Sequence, residues 1–313
     1  MSTEATTLAV RVARFGGAEV MTLEEAPLPR LGPDEILLRV HAAGVGPWDA
    51  WIRSGASVLD QPLPLPLTLG SEVAGVVEAV GRDVTHLEPG DDAYGATNGR
   101  FTGGYARLAV CEAGRLALKP RSLSFVEAAS VPVVAVTAWQ MLFSAADLKA
   151  GQSVVVHGAL GAVGRYAVQL GQQADLTVVA TARPGDEDRL RLLGVEGFID
   201  LAGPASVRLD AALDLVGGDS QRALFDKVAA GGALISAVSV PDPELARRGN
   251  LRVAFMLVDV RTEILDRLTQ LFDTGVLKPF VGVTLSLEQA QLAHGMMAGC
   301  VDHPPGKIVL RIA

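Results

Sequence analysis

One stretch constrains this chain more than any other: residues 153–183, SVVVHGALGAVGRYAVQLGQQADLTVVATAR. Ser153 to His157 is a β-branched run that reads as a buried strand. Gly158, Gly161 and Gly164 follow at steps of three, and Tyr166, Ala167 and Leu170 then mark one face of a helix. A second apolar strand, Leu176 to Ala180, closes a strand–helix–strand unit of the length that parallel pairing requires. The rest of the chain reads as a frame for this unit.

The glycines have a mechanical purpose. The chain must turn sharply off the strand, let a pyrophosphate touch backbone, and seat the new helix against the sheet. The helix N-terminus then presents N–H groups and the positive end of its dipole to phosphate. In the G-x-G-x-x-G pattern the slots hold Ala159, Gly161 and Gly164, with Gly158 just before. Alanine in the first slot is tolerable only if its φ stays negative. Gly158, Ala159, Leu160, Gly161, Ala162 and Val163 are therefore expected to hold a dinucleotide. An acidic residue about 20 positions on would bind the adenosine ribose hydroxyls. Here Ala182 lies 21 positions after Gly161, flanked by Thr181 and Arg183. A missing carboxylate beside a guanidinium favours a 2′-phosphate, so the expected cofactor is NADPH.

At 313 residues the chain is long enough for two domains with real cores. The net charge of −8, with no basic block, argues against nucleic acid or an anionic membrane as main partner. No apolar run approaches the roughly 20 residues of a membrane span, and MSTEATTLAV shows no basic-then-apolar pattern, so no export signal is expected. With only Cys111 and Cys300 there is no disulfide framework, and the cytoplasm is the expected compartment.

Before residue 122 the pattern is β-rich. Leu8–Val12, Ile36–Val40, Thr68–Val80, Tyr105–Val110 and Arg115–Leu118 read as strands, with a stiff connection at Pro62, Pro64 and Pro66. Gly44 to Gly55 reads as a loop. Ser124 and Glu127 form a capping box that starts a helix, and Pro132 should interrupt it. Helical character returns over Thr137–Asp147. Strand and helix then alternate through the helix Thr262–Asp273, Leu285–Met297 reads as helix, and Lys307–Ile312 as a strand returning to the first domain. These readings predict an α/β chain. Its β-barrel domain, 1–122, is completed by 275–313, and a doubly wound dinucleotide-binding domain spans 123–274.

On several motifs the chain resembles the medium-chain dehydrogenase/reductase superfamily, and within it the zinc-independent quinone oxidoreductases. The motifs are Gly70-Ser71-Glu72-Val73-Ala74-Gly75-Val76-Val77, Pro89-Gly90-Asp91, Val136-Thr137-Ala138-Trp139, the glycine stretch, Asp214-Leu215-Val216-Gly217-Gly218 and Gly306-Lys307-Ile308-Val309-Leu310. The resemblance implies a GroES-like barrel beside a Rossmann domain. Zinc alcohol dehydrogenases of the superfamily carry a catalytic Cys and a G-H-E motif. Here Gly46 and Ser71 stand at those positions, so no metal is expected. Quinone oxidoreductases often show N-P-x-D where this chain has Gly46-Pro47-Trp48-Asp49.

Without a Lewis acid, a quinone or conjugated enone is an easier hydride acceptor than a simple ketone. The expected activity is NADPH-dependent reduction of such an acceptor. Alternatives are an enoyl or alkene reductase of a biosynthetic pathway, and an NADPH-binding structural or sensor protein without turnover. The resemblance places Thr137 near the nicotinamide phosphate. Val216, Ser236 and Val238 end strands of the nucleotide-binding sheet, where ligands sit. Trp48, Trp51, Ile52 and Phe280 are candidates for the acceptor wall, and Tyr105 and Asp49 for proton transfer. The apolar strand Leu251–Val258 is expected to pair across a two-fold axis in a homodimer.

Overall fold

A computed structural model describes residues 5–56, 63–203 and 208–313. The expectations for Pro62 and for the first residues of the chain fall outside them. Two compact units result: one runs through Val133 and resumes at Val260, the other is Val134–Asp259. The sequence-drawn boundaries, 122/123 and 274/275, are corrected by these. The helix over Thr262–Asp273 belongs to the first unit, because Tyr94 donates its hydroxyl to Leu265 O (2.9 Å) and Thr262 Oγ1 donates to Leu116 O (2.8 Å).

The first unit opens with β1 (Thr6–Val12), β2 (Met21–Pro27) and β3 (Glu35–Val45). Then comes α1 (Pro47–Ser54), which corrects the expected loop. Pro47 at the helix start lacks the N–H that would go unused there, the Asp49 side chain accepts the Gly46 N–H, and Gly55 at φ +78° ends the helix. Two flanking glycines and two tryptophans hid that helix in the sequence. Strands β4 (Leu67–Thr68), β5 (Glu72–Val80), β6 (Asp92–Ala96), β7 (Leu108–Glu112) and β8 (Leu116–Leu118) follow. Next is α2 (Phe125–Ala129), whose Ser124–Glu127 capping box is present as predicted. Pro132 begins a new helix, α3 (Pro132–Trp139), and the coil then widens to a π-helix over Gln140–Ala145.

The second unit is a six-stranded sheet of β9 (Ser153–His157), β10 (Thr177–Thr181), β11 (Gly197–Ile199), β12 (Leu209–Asp214), β13 (Val228–Ser236) and β14 (Arg252–Phe255). All its pairings are parallel, in the order β11-β10-β9-β12-β13-β14. Buried on both faces, β9 is apolar throughout its middle: Val154, Val155 and Val156 are fully buried. Between the strands run α4 (Ala162–Gln173), α5 (Glu187–Leu192), α6 (Gly218–Leu224) and α7 (Pro243–Gly249). The strand order reverses across β9 and β12, and such a reversal opens a crevice at the carboxyl ends of the strands.

The chain then returns to the first unit through α8 (Thr262–Asp273), β15 (Val281–Ser286), α9 (Ala290–Met297) and β16 (Lys307–Arg311). The helix expected over Leu285–Met297 is thus helical from Leu287 onward, with only Leu285 and Ser286 belonging to β15. β16 pairs antiparallel with β3, as expected for a strand returning to the first domain, inside a sheet ordered β15-β16-β3-β5-β6-β8 with β7 also on β3. A smaller sheet, β2-β1-β4, completes this unit.

Candidate functional site

The carboxyl ends of β9, β10, β12 and β13 carry the first candidate site. Gly158 leaves β9 at φ +93°, and a Cβ there would meet Val216 Cγ2 at 3.1 Å. A Cβ on Gly164 would lie 2.2 Å from Gly158 O, so α4 approaches the turn as closely as it does only because residue 164 is glycine. Ala159 is 2% exposed and keeps a negative φ, so its departure from the glycine pattern costs nothing. Gly161 caps α4 in extended conformation, and the first-turn N–H groups at Ala162 and Val163 have no partner within the helix. Leu160 is half-buried and Gly161 is exposed. This cradle fits a pyrophosphate.

At the end of β10, Thr181 and Ala182 are half-buried and Arg183 is exposed, with no carboxylate paired to it among the described residues. His157, at the end of β9, is 7% exposed, and both ring nitrogens are used: Nδ1 is 2.8 Å from Thr181 Oγ1 and Nε2 is 2.9 Å from Ser220 Oγ. Burial holds its pKa below the ordinary histidine range, with Asp214 acting against that shift and Arg183 with it. Asp214 is fully buried and fully satisfied. Its Oδ1 accepts Val216 N–H (3.1 Å) and Gly217 N–H (2.9 Å), and its Oδ2 accepts Gln221 Nε2 (2.8 Å) and Ser236 Oγ (2.8 Å). Ser236 Oγ in turn accepts Val238 N–H and Ser239 N–H, each at 3.2 Å. One carboxylate thus holds both strand-end loops, and leaves Val216 and Val238 displayed at 45% and 41% exposure. Thr137 is buried in α3.

The first unit holds a different cluster. Asp49, Tyr105 and Glu72 are fully buried. Asp49 Oδ2 accepts Gly46 N–H (2.8 Å) and the Tyr105 hydroxyl (3.2 Å), while Oδ1 is buried without a partner among the described residues. Burial pushes the Asp49 carboxyl up to about 7. Burial and the neighbouring Asp49 raise the Tyr105 phenol well above its usual value. Both proton-transfer candidates are thus sealed from solvent, where they brace the turn into α1. Glu72 Oε1 accepts Val133 N–H (2.7 Å), and Lys307 Nζ lies 2.5 Å from its Oε2 and 4.6 Å from the Trp48 ring centroid. Trp48 donates Nε1–H to Ser71 Oγ at 2.5 Å. The wall candidates diverge: Ile52 is a core residue at 2% exposure, Trp51 is open at 44%, and Trp48 and Phe280 are half-buried.

The residues at the expected metal positions do not make a donor set. Gly46 has no side chain, Ser71 is bonded to Trp48, and Glu72 is held by an ammonium. Among the described residues no group of three or more His, Cys, Asp or Glu side chains could hold an ion. Sequence reasoning missed the Glu72–Lys307 pair and the hub at Asp214. A lysine opening an otherwise apolar strand and the acid heading Asp214–Gly218 were the available signals.

Comparison with known proteins agrees with this architecture. Residues 32–121 match the alcohol dehydrogenase GroES-like domain and residues 193–310 the zinc-binding dehydrogenase family. The human quinone oxidoreductase is 40% identical over 177 residues, 56% of this chain and 52% of that protein. The chain therefore spans about half the length of the curated relatives it matches. The spectinabilin polyketide synthase system protein NorB of Streptomyces orinoci is 33% identical over 96% of this chain, but this is 14% of that protein. Among solved structures, the quinone oxidoreductase of Coxiella burnetii superposes with a TM-score of 0.89 at 29% identity, covering 99% of this chain and 100% of the other. With a GroES-like barrel, a Rossmann sheet and these relatives, the chain belongs to the medium-chain dehydrogenase/reductase superfamily, in its quinone oxidoreductase branch.

Proposed function

We propose that this chain is an oxidoreductase that uses NADPH to reduce a quinone or a conjugated enone without a metal ion. The observation that carries the reading is the cradle of Gly158–Val163 at the head of α4, together with a β10 end that offers Arg183 in place of an acid. When bound, the reduced nicotinamide supplies the hydride. The chain's own work is to bind and orient. The α4 N-terminus takes the pyrophosphate, Arg183 the 2′-phosphate, and the loops pinned by Asp214 bring Val216 and Val238 to the nicotinamide end. Trp48, Trp51 and Phe280 are the proposed acceptor wall. The proton follows from water, since Asp49 and Tyr105 are both sealed in the first unit.

The test is the loss of NADPH absorbance against a panel of quinones and enones, with elemental analysis of the same sample. Turnover with at least one acceptor and no stoichiometric metal is expected. Binding without turnover on the whole panel would favour a structural or sensor protein. The likeness to a polyketide synthase system protein favours one second reading, an enoyl reductase in a biosynthetic pathway. It would show as a preference for enoyl thioesters over quinones.

The remaining parts of the reading are a homodimer and a cytoplasmic setting. β14 is the last strand of its sheet, and its apolar flank continues to Leu257 at 52% exposure. Pairing of two such edges would cover it. Light scattering should return twice the chain mass, and a monomer at every concentration would end that part of the reading. No helix among the described residues is long and apolar enough to cross a membrane.

A further inference from the structure

His157 has no part in the reading above, yet it is the side chain that decides what Thr181 can do. A hydroxyl has a single hydrogen to give. Ser220 Oγ gives its hydrogen to Gly217 O at 2.7 Å, because a carbonyl oxygen can only accept. Towards His157 Nε2, 2.9 Å away, Ser220 must therefore accept, so Nε2 carries the proton. A neutral imidazole protonated at Nε2 is bare at Nδ1. Thr181 Oγ1, 2.8 Å from Nδ1, then has to donate to it. Rotating the ring by half a turn would set carbon against both hydroxyls and lose both bonds, so the hydrogen bonds also fix the ring orientation.

The consequence lies at the end of β10. With its hydrogen committed inward, Thr181 shows only lone pairs outward. A ribose 2′-hydroxyl can donate to them, whereas a 2′-phosphate, which carries acceptor oxygens, cannot at its ionised state. Arg183, two residues on, has the opposite character and suits the phosphate. We propose that His157 fixes Thr181 as the acceptor for the adenosine 2′-hydroxyl, so that Thr181 and Arg183 read the two cofactors separately and the chain takes NADH as well as NADPH. This rests on the placement of the adenosine ribose at Thr181–Arg183 made above. His157 is a positioning residue in this scheme and touches neither cofactor. The charged groups acting on it are Asp214 of β12 and Arg183 after β10.

The experiment has two arms on the whole chain. Long-range proton–nitrogen correlation of the imidazoles, with His157→Gln identifying the signals, should show Nε2 protonated and Nδ1 bare at neutral pH. Fluorescence titration with NADH and with NADPH then compares wild type, Thr181→Val, Thr181→Ser and Arg183→Ala. Thr181→Val should weaken NADH about five- to tenfold and NADPH by less than about twofold, the size of one neutral hydrogen bond. Thr181→Ser should restore NADH, and Arg183→Ala should weaken NADPH alone. A proton on Nδ1, or equal losses for both nucleotides in Thr181→Val, would overturn the inference while leaving the dinucleotide site standing. Failure of wild type to bind either nucleotide would remove the site itself, and the inference with it.

Discussion

Two aspartates, each at the heart of its own unit, are equally buried and unequally satisfied. Asp214 in the second unit accepts four hydrogen bonds, two on each oxygen. Asp49 in the first accepts two on one oxygen and none on the other. A buried carboxylate with a full set of donors behaves as a rivet, since backbone N–H groups that would otherwise need partners are aimed at it. One with half a set is a standing electrostatic cost that depends on its proton. The nucleotide end of this fold is thus held by completed hydrogen bonding. The turn into α1 is held by a carboxyl at the edge of ionisation, beside a Glu72–Lys307 pair.

The largest test of that contrast removes the cation. Lys307 is 5% exposed on its side chain and Glu72 is fully buried, so Lys307→Met leaves a buried charge with no counter-ion. Losing one member of such a pair costs about 3–5 kcal/mol, against little for an exposed pair. Urea unfolding near neutral pH should show it as a lower midpoint at an unchanged slope. A loss below about 1 kcal/mol would mean that water already reaches the cluster, and the difference between the units would shrink to nothing.

How much of this was legible in the sequence differs along the same line. Local patterns with a period or a cap were readable: the β9–α4–β10 unit, the Ser124 capping box, and the tail strand that pairs with β3. The helix over Pro47–Ser54 was lost because its ends are glycines and its signals, Pro47 and Asp49, act only through a backbone turn that spacing does not reveal. β15 was lost because Leu285 and Ser286 lead directly into a helical pattern. The units' true boundaries follow from side chains reaching across long stretches of chain, as Tyr94 does to Leu265. At the site, the glycines and Arg183 could be named from residue type alone. Ile52 could not be told from a wall residue, since core and pocket use the same side chains. His157 ended a strand run in the sequence, and nothing in its spacing showed the two hydroxyls on its ring.

A second test sharpens the contrast by pH. The Asp49 carboxyl rises from 3.8 to about 7 on folding, so between those values the folded chain binds more proton than the unfolded one. Its contribution therefore erodes stability as pH rises through that window, and the full penalty is present above it. Asp49→Asn keeps an acceptor for the Gly46 N–H and removes the charge. The variant should exceed wild type by on the order of 2 kcal/mol at about pH 8, with the gap closing towards about pH 4. Thermal unfolding across that range would show parallel curves if Asp49 were hydrated and ordinary.

The smallest effect is expected where hydrogen bonding is complete. Ser236→Ala takes one donor from Asp214 Oδ2, which still accepts Gln221 Nε2, while Oδ1 keeps its two backbone partners. It also takes the acceptor from the Val238 and Ser239 N–H groups, which lie in a loop that is half-exposed and open to water. The loss should be about 1 kcal/mol in urea unfolding, the ordinary worth of a single hydrogen bond. A loss above about 3 kcal/mol would show that the four bonds at Asp214 stand or fall together. The rivet would then be as fragile as the pair at Glu72, and the two units would differ in geometry but not in how they fail.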